Sequence, residues 1–301
     1  MITNNTFTVV IPTYNRAHLV GRAIGSVLEQ RVESEILVVD DASTDNTTEV
    51  VKSLYPEVRY LRQNENLGPG PARTLGLRNA TNRWVIMLDD DDTLLPGALE
   101  LLSASIDLFS NAHVYPVLQF ARSNGLLHRP FAIVDLDEYF LGSISGDFVP
   151  VIQAQRFFKL GLSFPDSRIG VEHLLWWKVA YLYGIPTWSN VVAQLHSDAP
   201  NRLTSVQQQI IYARKHAEAH DMTLTAYGTL LKERAPGRYY KDQLGAVIYW
   251  LLAGERNLAR TRLKQKDYEF PAFSAMVVLL LSYMPNCLIE NLFLLYRRLK
   301  H

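Results

Sequence analysis

The first 110 residues alternate short apolar runs with stretches whose apolar positions recur at helical spacing. Residues 7–11 (FTVVI) predict a strand closed by Pro12, and residues 18–30 set Leu19, Val20, Ala23, Ile24, Val27 and Leu28 on one helical face. Residues 35–39 (EILVV) predict a second strand, ending on Asp40 and Asp41. Ser43, Thr44 and Asp45 then supply cap chemistry for a helix running to Leu54. A strand at 58–61, a loop rich in Asn, Gly and Pro at 64–71 and a helix at 72–80 follow. A fourth strand at 84–88 (WVIML) is closed by Asp89, Asp90, Asp91 and Asp92, and Pro96 opens a helix over 97–109. This alternation predicts an α/β fold, a mostly parallel sheet flanked by helices. Such sheets bind ligands beyond the carboxyl ends of their strands, which is where the polar residues fall here.

Beyond residue 111 the pattern is less regular. It predicts a strand at 113–120, a strand-to-helix passage at 149–160, a helix at 172–183 and a strand at 191–196. Residues 205–263 read as helical with a break at 235–238. The expected organisation is a nucleotide-binding and catalytic domain over 1–200 and a helical C-terminal region over 201–301.

A chain of 301 residues, 48% hydrophobic and 20% charged, is ordinary globular material long enough for a full core and an appendage. Lys+Arg and Asp+Glu both total 30, so no global field recruits nucleic acid. The single cysteine, Cys287, excludes an intrachain disulfide and a cysteine-rich zinc site, and it fits a reducing compartment. Residues 1–7 lack the basic-then-apolar layout of a signal peptide, so the expected location is cytoplasmic. Residues 273–295 are largely apolar, but Pro285, Asn286, Glu290 and Asn291 interrupt them below the ~20 residues of a spanning helix. Arg297, Arg298, Lys300 and His301 follow. Two readings stand: a packed helix pair, or an interfacial segment that holds the chain peripherally at the inner face of a membrane.

Four consecutive carboxylates repel one another unless a cation compensates. In extended geometry Asp89 and Asp91 point to one side and Asp90 and Asp92 to the other, so that one pair can face the sheet end and hold a hard divalent cation such as Mg²⁺ or Mn²⁺ that also takes ligands from a diphosphate. The alternative is a solvated acidic turn at the start of the next helix, with Asp92 as a cap. Asp40 and Asp41 fit a base N–H or a ribose hydroxyl, or equally the capping of the following helix. Tyr14 is either a stacking partner for a base or a surface aromatic. No glycine-rich phosphate loop with its lysine follows the first strand, which excludes a P-loop enzyme.

Four segments occur in order: V-V-I-P-T-Y-N (9–15), V-V-D-D-A-S-T-D (38–45), N-x-G-x-x-x-A-R (66–73) and L-D-D-D-D-T-L-L-P (88–96). Together they resemble glycosyltransferase family 2, inverting enzymes of the GT-A, Rossmann-like fold. The resemblance implies that Asp41 binds the base, usually uracil, with Tyr14 packing near it and Pro12 and Thr13 shaping the pocket. It puts Asp40 on the ribose side and Arg73 near the sugar or diphosphate. Asp89, Asp90 and Asp91 fall in the D-x-D segment, with Asp91, and then Asp89, as metal ligands for Mn²⁺ or Mg²⁺.

Transfer with inversion also needs a base for the acceptor hydroxyl. In the family it comes from an E-D pair at a helix start, and the analogous stretch here is F-P-D-S-R-I-G-V-E-H-L-L-W-W (164–177), where His173 replaces the usual Asp after Glu172. Glu172 and His173 are both candidates, and Asp166 is the reserve. His196 and Arg202 are implied donor contacts in a loop closing over the diphosphate. Trp176, Trp177 and Trp188 suit either acceptor stacking or the core. The expected activity moves a sugar from a nucleoside diphosphate sugar, UDP above all, to a glycan or lipid-linked glycan. A catalytically silent nucleotide-sugar-binding module and a nucleotidyltransferase are the competing readings.

Overall fold

The computed structural model describes residues 5–167, 169–199, 205–264 and 272–299. The chain forms two compact units, Met1–Ala199 and Pro200–His301.

In the first unit, strands and helices alternate from the start. They are β1 (Phe7–Thr13), α1 (Ala17–Leu28), β2 (Ser34–Asp40), α2 (Thr47–Leu54), β3 (Arg59–Arg62), α3 (Pro69–Asn79), β4 (Trp84–Met87), β5 (Thr93–Leu94) and α4 (Ala98–Leu108). There follow β6 (Val117–Arg122), β7 (Leu126–Leu127), β8 (Phe131–Val134), α5 (Leu136–Leu141), β9 (Ile144–Ser145), β10 (Phe148–Gln153), α6 (Ala154–Lys159), α7 (His173–Tyr183) and β11 (Ile185–Gln194). The main sheet has nine strands in the order β3-β2-β1-β4-β10-β6-β11-β5, with β8 also on β11. β3, β2, β1 and β4 are mutually parallel, β10 runs against β4 and β6, and β11 returns parallel to β6. β5 and β8 lie antiparallel on β11.

Every residue of β1 and of β4 is buried. That is the signature of strands covered on both faces, and it explains their continuous apolar runs. Alternate residues of β1 serve two cores. Val9 and Ile11 join Val20, Ile24 and Leu99 on one face, while Val10 joins Leu77, Val85 and Phe157 on the other. α3 lies so close to the sheet that a Cβ on Gly76 would come within 2.3 Å of Val10 Cγ1.

α4 begins later than the sequence suggests. Pro96 sits in a turn, and Gly97, with φ of 78°, provides the left-handed step before Ala98. Trp177 is buried, and Trp188 stacks on Phe120 with ring centroids 4.6 Å apart, so both are core residues. Trp176 packs against the second core, half-buried.

The second unit is helical: α8 (Val206–Ile211), α9 (Ala213–Arg234), α10 (Pro236–Leu252), α11 (Arg256–Lys264), α12 (Ala272–Leu281) and α13 (Asn286–Leu299). Pro236 opens α10, where its missing N–H costs nothing, which accounts for the break after Arg234. Its core gathers Ala217, Val247, Trp250, Leu251, Ala259, Val278 and Ile289. Among the described residues no helix is long and apolar enough to cross a membrane.

Candidate active site

The carboxyl ends of β1, β2 and β4 lie side by side in parallel register and are stitched together by their own loops. The Asp41 N–H donates to Thr13 O at 2.9 Å, and the Leu88 N–H donates to Val10 O at 3.1 Å. After β1 the chain turns through Asn15, whose φ of 52° is left-handed, and Asn15 Oδ1 accepts from the Thr44 N–H at 2.6 Å. Ala42, also left-handed at φ of 61°, turns the chain after β2. Asp45 Oδ1 accepts from the Thr47 N–H at 3.0 Å at the start of α2, the cap chemistry the sequence offers.

Asp40 is fully buried. Its carboxylate accepts from the Ser43 N–H at 2.7 Å, from Arg62 Nη1 at 2.9 Å and from the Tyr60 hydroxyl. Those contacts tie β2 to β3 and to the following turn. Asp41 accepts from Gln63 Nε2 (2.6 Å), the Leu67 N–H (2.8 Å) and the Gly68 N–H (2.7 Å). Burial raises its pKa, against the pull of those three donors. Gly68 has a φ of 99°, a conformation open to glycine, and it turns the chain into α3. The N-x-G-x-x-x-A-R segment is thereby explained: Gly68 makes the turn, Ala72 is buried against the sheet, and Arg73 projects one helical turn on.

Among the described residues, Arg73 is one of three arginines whose guanidinium groups meet carboxylates of the acidic run. Its Nη2 donates to Asp89 Oδ1 at 2.7 Å, and its Nη1 donates to Glu172 Oε1. Arg122, at the end of β6, gives Nη1 both to Asp89 Oδ2 at 2.7 Å and to Asp92 Oδ2 at 2.6 Å. Arg16 Nη1 donates to Asp90 Oδ1 at 2.6 Å and lies 3.3 Å from Asp91 Oδ2. Thr13 Oγ1 donates to Asp90 Oδ2 at 2.7 Å.

The four carboxylates therefore differ electrostatically. Burial works to raise the pKa of Asp89, but Arg122 and Arg73 outweigh it and hold the group well below the usual carboxylate range. Burial prevails at Asp90, which rises to about 6 despite Arg16 and Thr13. It prevails again at Asp92, which rises to about 7 because the guanidinium it shares with Asp89 is only half its own.

His196 is joined to this rim through Thr93 Oγ1 at 3.0 Å from its Nε2, and its N–H donates to Asp92 Oδ1 at 3.4 Å. Tyr14 is 41% exposed at the end of β1, and Pro12 is buried within it. Glu172 precedes α7 and meets the acidic run through Arg73, whereas the His173 ring stands edge-on to Trp177 with centroids 5.2 Å apart. Asp166 lines a separate depression with Pro71, Thr74, Leu75, Arg78, Ser163 and Phe164. Arg202 lies outside the described residues. Sequence reasoning does not reach Arg16 and Arg122. Arg16 carries a faint signal, its place directly after P-T-Y-N, while Arg122 only ends an apolar strand.

A divalent cation can be tested against this donor set. Among the described residues no group of three or more His, Cys, Asp or Glu side chains is disposed to hold a metal. The oxygens present are nevertheless the hard donors Mg²⁺ and Mn²⁺ prefer, and no described donor reaches Asp91 Oδ1. The site fits a cation that takes one carboxylate from the protein and most of its ligands from a diphosphate and water.

Residues 8–132 match the model of glycosyl transferase family 2. The succinoglycan biosynthesis protein ExoO of Rhizobium meliloti is 41% identical over 102 residues, 33% of this chain and 29% of that protein. The GalNAc(5)-diNAcBac-PP-undecaprenol beta-1,3-glucosyltransferase of Campylobacter jejuni is 33% identical over 186 residues, 56% of this chain and 58% of that protein. The chain thus spans less than two thirds of the length of these relatives. Among solved structures, S. aureus TarS 1-349 in complex with UDP-GlcNAc superposes with a TM-score of 0.58 at 16% identity, covering 97% of this chain and 92% of that one. The mannosyltransferase PcManGT of Pyrobaculum calidifontis in complex with GDP-Man and Mn²⁺ gives 0.53 at 18%, covering 93% and 86%. At such identities the superpositions speak for the fold, an α/β GT-A arrangement with a helical C-terminal extension. Four motifs in order, three strand ends gathered at one rim and the match over residues 8–132 make this part of the chain similar to glycosyl transferase family 2.

Proposed function

We propose that this protein transfers a sugar from a nucleoside diphosphate sugar, UDP-linked, to a hydroxyl of a glycan or lipid-linked glycan, in one displacement with inversion. The observation that carries the reading is the Arg73 bridge between Glu172 and Asp89. It puts a carboxylate from the second half of the unit one guanidinium away from the acidic run. In this reading Asp41, Thr13, Pro12 and Tyr14 form the nucleoside end, with Asp40 as the internal brace of its loop. Asp89, Asp90, Arg73, His196 and Arg202 attend the diphosphate and sugar.

Asp91 holds the divalent cation, Mg²⁺ or Mn²⁺, and Asp89 joins it only by releasing Arg73 or Arg122. The cation supplies Lewis-acid neutralisation of charge on the departing diphosphate. Glu172 takes the proton of the acceptor hydroxyl, and the edge-on packing of His173 against Trp177 favours Glu172 over its neighbour. Arg73 orients Glu172 before the acceptor arrives. The undecaprenol-linked substrate in the name of the Campylobacter jejuni relative supports a lipid-linked acceptor, and the UDP-GlcNAc bound to TarS supports a UDP donor.

The test is turnover of UDP- and GDP-sugars with and without Mn²⁺, for the wild type, Asp91→Ala and Glu172→Gln. We expect metal-dependent release of UDP, lowered about 100-fold or more by either substitution while Glu172→Gln still binds UDP. UDP binding without any turnover would instead identify a silent binding module, and pyrophosphate release from a nucleoside triphosphate would identify a nucleotidyltransferase.

A further inference from the structure

α12 (AFSAMVVLLL) carries no charged residue, and the face it leaves uncovered is apolar. At 100° per residue, Met276, Val277, Leu279 and Leu280 spread over roughly half its circumference, all of them exposed, while Val278 and Ser282 face the core. After the turn, Leu288, Leu292, Leu295 and Leu299 form an exposed stripe along α13. Scattered apolar residues on a surface mean little, but two successive helices with open apolar faces require an apolar surrounding.

Charge and aromatic placement indicate which surrounding. Between residues 272 and 299 the charged residues are Glu290, Arg297 and Arg298, and α11 (RNLARTRLK) is basic throughout. Tyr283, 71% exposed at the turn between α12 and α13, lies under the Arg260 guanidinium, 4.1 Å from its ring centroid. An aromatic ring with a cation above it, beside an apolar face, suits the boundary between headgroups and acyl chains. A second copy of the chain would be served by a narrow seam such as the α13 leucines; it does not account for half the girth of α12.

We infer that α12 and α13 form an in-plane docking surface for an anionic lipid bilayer, with the open apolar faces in the acyl boundary and Arg260 and Arg298 at the headgroups. This rests on the second unit alone and is independent of the reaction proposed above.

The experiment is cosedimentation of the full chain, without donor or acceptor, with vesicles of phosphatidylcholine alone or with about a third phosphatidylglycerol. The variants are Leu280→Glu with Leu295→Glu, both at exposed positions, and the milder Leu280→Gln with Leu295→Gln in case the first pair misfolds. We expect binding to the anionic vesicles, weaker at high salt, and a loss of about tenfold or more in the variants with circular dichroism unchanged. Absence of vesicle binding, or equal binding by folded variants, would overturn the inference. So would a wild-type dimer in lipid-free buffer that the variants convert to monomer, since the face would then belong to a second copy.

Discussion

Glu35 and the acidic run stand at opposite ends of the sheet, and the same chemical group is driven in opposite directions there. Glu35 accepts from Thr8 Oγ1 at 2.5 Å, from the Thr81 N–H at 2.9 Å, from Thr81 Oγ1 at 2.7 Å and from Arg59. Burial alone would raise its pKa, but these donors outweigh it and hold the group at about 2. A carboxyl depressed on folding contributes stability above its unfolded value of 4.5 and loses it as the pH falls toward 2. Glu35→Gln should therefore cost about 2 kcal/mol at pH 7 and almost nothing near pH 2. Urea midpoints for both proteins at pH 7, 4 and 3 check this, and curves that stay parallel across the range would refute it. Asp90 and Asp92 lean the other way. Raised on folding, they favour the folded state at low pH and cease to do so as pH climbs through about 6 and 7. Stability is stored at the amino ends of the strands and given up at their carboxyl ends, where the proposed donor site lies.

At the scale of elements, glycines distinguish the open face of a helix from a face that presses on the sheet. A Cβ added to Gly25 in α1 meets nothing within 4 Å, whereas one on Gly76 in α3 meets Val10 Cγ1 at 2.3 Å and Val39 Cγ2 at 3.2 Å. Gly25→Ala should stabilise by up to ~1 kcal/mol through helix propensity. Gly76→Ala gains the same propensity but overpacks buried strand residues, and a net loss of about 1–2 kcal/mol is expected. Thermal melts of the two variants should move in opposite directions.

These same contrasts show what a sequence reading reaches. Continuous apolar runs, closed by Pro12 in β1 and by aspartates after β2 and β4, locate these strands to within two residues because they are covered on both faces. The two-residue strands β5, β7 and β9, and β8 with its exposed Ile133, carry too little periodicity to be read. β11 begins six residues before the predicted 191, since Pro186 and Ser189 break its pattern while pairing with β8 and β6 sustains it. Acidic residues announce the rim; Arg16 and Arg122, which pair with them, do not, because a lone arginine after a strand has no spacing to recognise.

For the whole molecule, the division into two compact units with separate cores matters most. The described rim residues all belong to Met1–Ala199, so a nucleotide that binds there couples to the unfolding of that unit. Calorimetry should resolve two transitions. UDP with Mn²⁺ at about a hundredfold over its Kd should stabilise one of them by ~2.7 kcal/mol, a shift of roughly 5–10 °C, and leave the other in place. A single transition that moves as a whole would mean that the two units unfold together.

Variants of this protein along the rim act on a shared network. Asp92, Arg122, Asp89, Arg73 and Glu172 form an unbroken chain of ion pairs, with Arg122 Nη1 serving two carboxylates at once. Removal of any member frees its neighbours to re-pair, so phenotypes along the chain are shared among its members. In a mutational screen these five positions would behave as one epistatic locus. A lesion at Asp89 would find its suppressors at Arg73 or Arg122, and single-site scans would credit each position with work that belongs to the set.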